Sequence, residues 1–267
     1  MIRMLWAFLL RDLRHEASYK VSFAMQLLGS VHLLLLFFFL SRFLGDTAAT
    51  TAQAYGSSYF PFVVTGLAVQ QYLYLALNNF SGQLREAQLT GTFEAVMVCP
   101  VPLPLYLMGS ALFAFVLNTI HILVFLGMGH FLGAAFPLRE LPAVMLVLVL
   151  SAVAFSSLGI FAASYIVIFK KGNPLAWVFL LSSSLLGGVY YPVTMLPGWV
   201  QKLAVLVPMT HCLNGLRGLM NQHAGLGGIA PSLLGLIAWI SVGLPASGLC
   251  FAWAVRIGRK RGSLGQY

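Results

Sequence analysis

Six histidines and six acidic residues are all that this 267-residue chain offers for metal or acid–base chemistry, and their spacing assembles no site. His15, His32, His121, His130, His211 and His223 show neither HExxH nor paired metal-ligand spacing, and the sparse carboxylates leave little for two-carboxylate catalysis. For His32 and His121, inside long apolar runs, a helix-packing hydrogen bond is the simpler role. Cys99, Cys212 and Cys250 lack CxxC spacing and an even framework, so they read as small apolar residues. No G-x-x-x-x-G-K-[ST] occurs, so the chain has no P-loop cradle for a nucleotide phosphate and no ATPase of its own. Neither a metal nor a resident cofactor is expected.

The remaining polar residues can bind or transmit rather than catalyse. Gln70, Tyr74 and Asn78 follow i, i+4, i+8 spacing in an apolar run, with Gln71 beside them, and a later run carries Ser182, Ser183, Ser184, Gly187 and Gly188. Lipid cannot satisfy such groups, so they should face protein or a watery cavity, and the two faces together would line a translocation path. Serine and glycine equally permit close helix approach, so structural packing is the second reading. A third group stands apart in character. From Arg85 to Pro100, charge and helix breakers separate runs that read as membrane spans. Arg85, Glu86 and Glu94 would together cost roughly 8 to 10 kcal/mol at mid-bilayer, at about 2.5 to 3.5 kcal/mol each. This segment must therefore lie in water or against a protein.

The elements that position these groups follow from composition. With 60% hydrophobic residues, 8% charged and a mean hydropathy of +0.89, the chain is an all-α polytopic membrane protein, since soluble domains carry about 25% charge. A span needs about 20 apolar residues. Six stretches qualify: 21–42, 59–79, 104–131, 142–169, 174–191 and 229–255, the fifth short and broken early. The net charge of +9 distributes as the positive-inside rule requires if both termini are cytoplasmic. Arg3, Arg11, Arg14, Lys20, Arg85, Lys170, Lys171, Arg256, Arg259, Lys260 and Arg261 then lie inside, against Arg42, Arg139, Lys202 and Arg217 outside. The basic residues form no contiguous patch on a soluble domain, which argues against nucleic acid.

Residues 1–20 read as an interfacial amphipathic helix, with Ile2, Leu5, Leu9 and Leu13 on one face and Arg3, Arg11 and Arg14 opposite. The run ahead of Ala52-Gln53-Ala54 is too long for a signal h-region. Pro137 and Pro142 are expected to end the helices flanking a short loop. Lys170-Lys171-Gly172-Asn173-Pro174 is a tight cytoplasmic turn, and the tail from Arg256 is suited to anionic headgroups. Residues 190–228 hold Pro192, Pro197 and Pro208, five glycines, Lys202 and Arg217, which excludes a lipid-facing span of 20 residues. Two short re-entrant or interfacial helices flanking Pro208 are expected, with Trp199 at the interface belt; a long surface loop is the alternative.

These features together resemble the permease subunits of ATP-binding cassette exporters of the type-2 membrane family, over nearly the whole chain. That family carries a cytoplasmic coupling segment of the form R-E-x(n)-G-T-x-E-x(4)-P, met within residues 80–103 by Arg85, Glu86, Gly91, Thr92, Glu94 and, one position later than the commonest spacing, Pro100. Its G-x-x-[YF]-P-x(4)-P-x-W signature, followed by P-x-[TS] and an arginine, is matched by Gly188, Tyr191, Pro192, Pro197, Trp199, Pro208, Thr210 and Arg217. Phe93 and His211 depart from the usual residues. The resemblance implies one transmembrane permease domain over 1–267, a second permease chain, with a homodimer favoured, and two separate ABC ATPase subunits that bind ATP and Mg. It also implies export across the bacterial inner membrane. An ion-coupled secondary transporter or channel is the competing class and would favour inverted repeats with mid-membrane ionisable residues, neither of which is found. An intramembrane lipid transferase would need clustered His, Asp or Glu.

Overall fold

The structure is a computed structural model that describes residues 25, 28–29, 31–43, 59–89, 103–134, 136–169, 172–222 and 224–260. Among them the regular secondary structure is entirely helical: α1 (Val31–Phe43), α2 (Tyr59–Leu89), α3 (Leu103–Phe131), α4 (Leu141–Phe169), α5 (Pro174–Leu186), α6 (Gly198–Ala204), α7 (Pro208–Met220), α8 (Gly225–Gly228) and α9 (Ala230–Lys260). Short 3-10 turns precede α4 at Leu138–Glu140 and α6 at Val193–Met195. The proposed interfacial helix at 1–20 and coupling residues Gly91, Thr92, Glu94 and Pro100 lie outside the described residues.

Four described helices, α2, α3, α4 and α9, are long and apolar enough to cross a membrane. At 1.5 Å per residue, a 29-residue helix such as α4 is about 43 Å long, more than the hydrocarbon thickness of about 30 Å. The helix α2 runs ten residues past the expected edge at 79, because hydropathy marks the end of the apolar stretch and not the end of the hydrogen-bonded helix. Arg85 rides exposed on that extension. Proline placement explains two other boundaries. Pro142 does not end a helix; it sits in the first turn of α4, where its missing N–H has no intrahelical partner to lose. Pro245 lies inside α9 without ending it.

Burial ranks the helices. The most apolar window of α2 is 78% buried, against 50% for α4, 28% for α3 and 17% for α9, so α2 is the buried hub of these helices. It packs on α3, α4, α5 and α7, while α9 lies chiefly along α4. One hub contact needs glycine: a Cβ on Gly159 of α4 would run into the Ala76 carbonyl and the Phe80 ring of α2. Another is polar, with Tyr72 Oη 3.0 Å from Thr119 Oγ1 on α3. Because the Thr119 hydroxyl donates to the Phe115 carbonyl at 2.7 Å, it is left to accept from Tyr72. Outward, Leu112, Val116, Ile120 and Val124 form an exposed apolar stripe along α3. In water such a stripe would be an aggregation site; in a bilayer it is an ordinary lipid-facing surface.

Candidate functional site

The polar residues of the apolar runs gather into three clusters around α2, each joining it to a different part of α5 or α7. The first is a pocket between α2 and α5. Gln70 Nε2 donates to Ser184 Oγ at 2.9 Å, and Tyr190 Oη donates to Gln70 Oε1 at 2.8 Å. Ser184 in turn donates to the Leu180 carbonyl at 2.7 Å. These three side chains wall a cavity of about 160 Å³ whose rim is formed by exposed Trp177, Leu181 and Leu185. Phe37 of α1 stacks on Tyr190, with ring centroids 6.2 Å apart.

The other expected path residues are not gathered there. Gln71 is half-buried, Tyr74 is 57% exposed, and Asn78 donates to the Tyr74 carbonyl of its own helix at 2.9 Å. Ser183 is buried, and its carbonyl accepts the Gly187 N–H at 2.7 Å to end α5. Gly187 lies against Met209 of α7, where an added Cβ would meet both the Met209 side chain and the Ser183 carbonyl.

The second cluster lies directly beyond this helix end. Gly188 has φ +75, a left-handed conformation that glycine adopts without the cost borne by other residues. The resulting bend turns the Gly188 and Val189 carbonyls toward Arg217 of α7, which is 1% exposed. Its Nη1 donates to Gly188 O at 2.9 Å, its Nη2 to Phe62 O at 3.0 Å and Val189 O at 3.3 Å, and its Nε to Thr65 Oγ1 at 3.4 Å. The guanidinium also lies over the Phe62 ring, 3.5 Å from its centroid, a cation–π geometry. Arg217, counted in the sequence with the charges of the outer side, is by its contacts an interior fork tying α7, the α5 bend and the start of α2. Gly66 makes this approach possible, since a Cβ there would collide with the Val189 carbonyl.

The motif residues around this fork build its support. Tyr191 Oη donates to the Leu185 carbonyl at 2.7 Å, Pro192 is buried, and Pro197 precedes α6, on which Trp199 is 69% exposed. Pro208 opens α7. Thr210 Oγ1 then donates to the Ala204 carbonyl at 2.6 Å, and the Val205 carbonyl accepts from His211 Nε2 at 2.8 Å. Two carbonyls at the end of α6 are thus satisfied by the next helix, as helix ends require. Eleven of the thirteen α7 residues are buried, so this stretch is part of the protein interior and not a surface loop.

The third cluster is at the opposite end of α2. Asn173 Oδ1 accepts the Ala176 N–H at 3.1 Å as the N-cap of α5, while its Nδ2 donates to Ser81 Oγ at 2.8 Å. One side chain therefore starts α5 and fastens it to α2, four residues before exposed Arg85. Glu86 follows on the same helical turn. In the sequence this stretch reads as a tight cytoplasmic turn; the Asn-Pro pair, a cap residue before a first-turn proline, is the signal of its second role. Tyr190 and Thr65-Gly66 were also passed over. Their signals are a hydroxyl two residues beyond a double glycine and a small pair within a bulky run.

The ABC-2 type transporter profile matches residues 2–221 of this chain. The chain belongs to the ABC-2 type transporter family. That membership and the long apolar helices support a membrane location. Relatives include the inner membrane transport permease YadH of Escherichia coli K12 and the proteins of the same name from Escherichia coli O157:H7 and Shigella flexneri. Each is 29% identical over 170 residues. The match takes in 61% of this chain and spans 63% of the length of those relatives.

Proposed function

We propose that this permease subunit exports a hydrophobic or amphipathic compound from the cytoplasm: a drug-like molecule, a lipid or a lipid-linked glycan. The assembly pairs two permease chains, as a homodimer, with two ABC ATPase subunits that bind ATP and Mg, in a bacterial inner membrane with both permease termini cytoplasmic. Residues 1–267 act as one permease domain, 1–20 as its interfacial helix and 190–228 as its external re-entrant segment.

Cargo passes by Gln70, Ser184 and Tyr190, with Gln71, Tyr74 and Asn78 along the same helix, while Ser183 and Gly187 back the path from the packed side of α5. The external motif from Gly188 to Arg217 closes the outer end. The segment 80–103, through Arg85, Glu86, Gly91, Thr92, Glu94 and Pro100, is gripped by the ATPase. Nucleotide-driven closure then moves α2, and Asn173 carries α5 with it.

One observation carries this reading: the Gln70–Ser184–Tyr190 pocket stands on the same continuous helix as exposed Arg85. A rigid 31-residue helix links a site that can hold cargo to a charged end that can be held by a partner. Replacing Glu94 with arginine and measuring vesicle transport together with cargo-stimulated ATP hydrolysis tests it. Loss of coupling with normal expression is expected; unaltered coupling would overturn the assignment.

A further inference from the structure

We infer, building on the proposed path, that the α2–α5 pocket binds an uncharged, ring-sized group bearing a hydroxyl or amide and discriminates against anionic groups. Size comes first. An engineered apolar cavity of about 150 Å³ holds one benzene, so a cavity of about 160 Å³ takes one ring or its equivalent and not a whole amphipathic molecule. The rest of the cargo lies across the exposed rim of Trp177, Leu181 and Leu185.

Charge comes second, since none of the residues lining the pocket is Asp, Glu, Lys, Arg or His. Hydrogen-bond direction then sets the remaining capacity. The Tyr190 proton goes to Gln70 Oε1, the Ser184 proton goes to the Leu180 carbonyl, and one Gln70 N–H goes to Ser184 Oγ. What is left is the second Gln70 N–H as a donor, with oxygen lone pairs on Gln70 and Tyr190 as acceptors. A hydroxyl or amide, which both donates and accepts, matches that set. A carboxylate or phosphate finds one neutral donor, no cation and oxygen lone pairs that repel it, and an unpaired anion is costly to bury.

Photolabelling of the intact permease–ATPase complex in lipid nanodiscs tests this with three benzophenones of nearly equal size: 4-hydroxymethyl, 4-ethyl and 4-carboxy. Labelled peptides from 174–190 are quantified by mass spectrometry. The hydroxymethyl probe is expected to label roughly fivefold more than the ethyl probe, one neutral hydrogen bond's worth, and at least about tenfold more than the carboxy probe. In Gln70→Leu, or in Gln70→Met should that variant fail to fold, the hydroxymethyl preference should vanish while ethyl labelling persists, which also reports an intact pocket. Equal labelling by the carboxy probe, or a preference that survives both substitutions, would overturn the inference. Labelling with the stated preference that is identical in the ADP-bound and ATP-trapped complexes would uphold the pocket's chemistry and overturn its place on the path.

Discussion

Replacing Arg217 with lysine keeps the positive charge and removes the planar fork, and the outcome separates two meanings of this residue. If only charge mattered, as topology rules alone would have it, Arg217→Lys would be silent. The structure gives a different answer. Three guanidinium nitrogens serve four acceptors on two chain segments, Phe62 and Thr65 on α2 and Gly188 and Val189 at the bend, so that with α7, which carries the group, three segments are joined. A lysine ammonium is a compact point donor that cannot reach acceptors arranged around a plane. At least two bonds are lost, and hydrogen bonds to a charged group contribute about 1.5–3 kcal/mol each. The desolvation cost of the buried charge stays. Arg217→Lys should therefore destabilise the permease by roughly 3–6 kcal/mol, measured as the shift in unfolding free energy in mixed detergent–dodecyl sulfate micelles. Arg217→Met, which removes the charge, leaves the Gly188 and Val189 carbonyls without this donor but also removes the desolvation cost, so it should cost less than Arg217→Lys. A lysine variant within about 0.5 kcal/mol of the parent, the size of an ordinary surface change, would refute the fork.

Asn173 allows its two duties to be separated. Asn173→Ala should cost roughly 1–3 kcal/mol by losing both the α5 cap and the Ser81 bond, whereas Asn173→Asp keeps a capping oxygen and should cost about 1 kcal/mol less, read by the same unfolding assay. Gly159→Ala should destabilise by about 1–3 kcal/mol because its methyl meets α2. Gly127→Ala, with open space around the added carbon, should instead gain up to about 1 kcal/mol from helix propensity. Tyr72→Phe and Thr119→Ala should each cost about 0.5–1.5 kcal/mol, and a double-mutant cycle should show them non-additive because they remove one shared bond.

Long apolar runs made the helices legible in advance: α3 and α4 begin and end within a residue of the hydropathy edges, because a lipid-facing helix must be apolar along its hydrocarbon-facing length. Helix α2 exceeded its edge because Gln83 and Arg85 are compatible with helix once outside the hydrocarbon. The site was legible in part. Polar residues on two runs pointed to a shared face, yet periodicity cannot tell which of them meet across helices, so Gln70 met Ser184 while Asn78 turned back on its own backbone. Arg217 was least legible. Arg217 stood out only as a signature residue; its burial and its carbonyl partners have no local signal, since those carbonyls become acceptors only when the Gly188 bend and Gly66 bring three segments together.

Gentle extraction of the intact assembly, followed by native mass measurement and cross-linking, tests the central claim that this permease is driven through the cytoplasmic end of α2. The account predicts two permease chains with two ATPase subunits, cross-links concentrated at residues 81–100, and cargo movement that stops when ATP hydrolysis is blocked. A permease that transports without a bound ATPase, driven by an ion gradient alone, would contradict it.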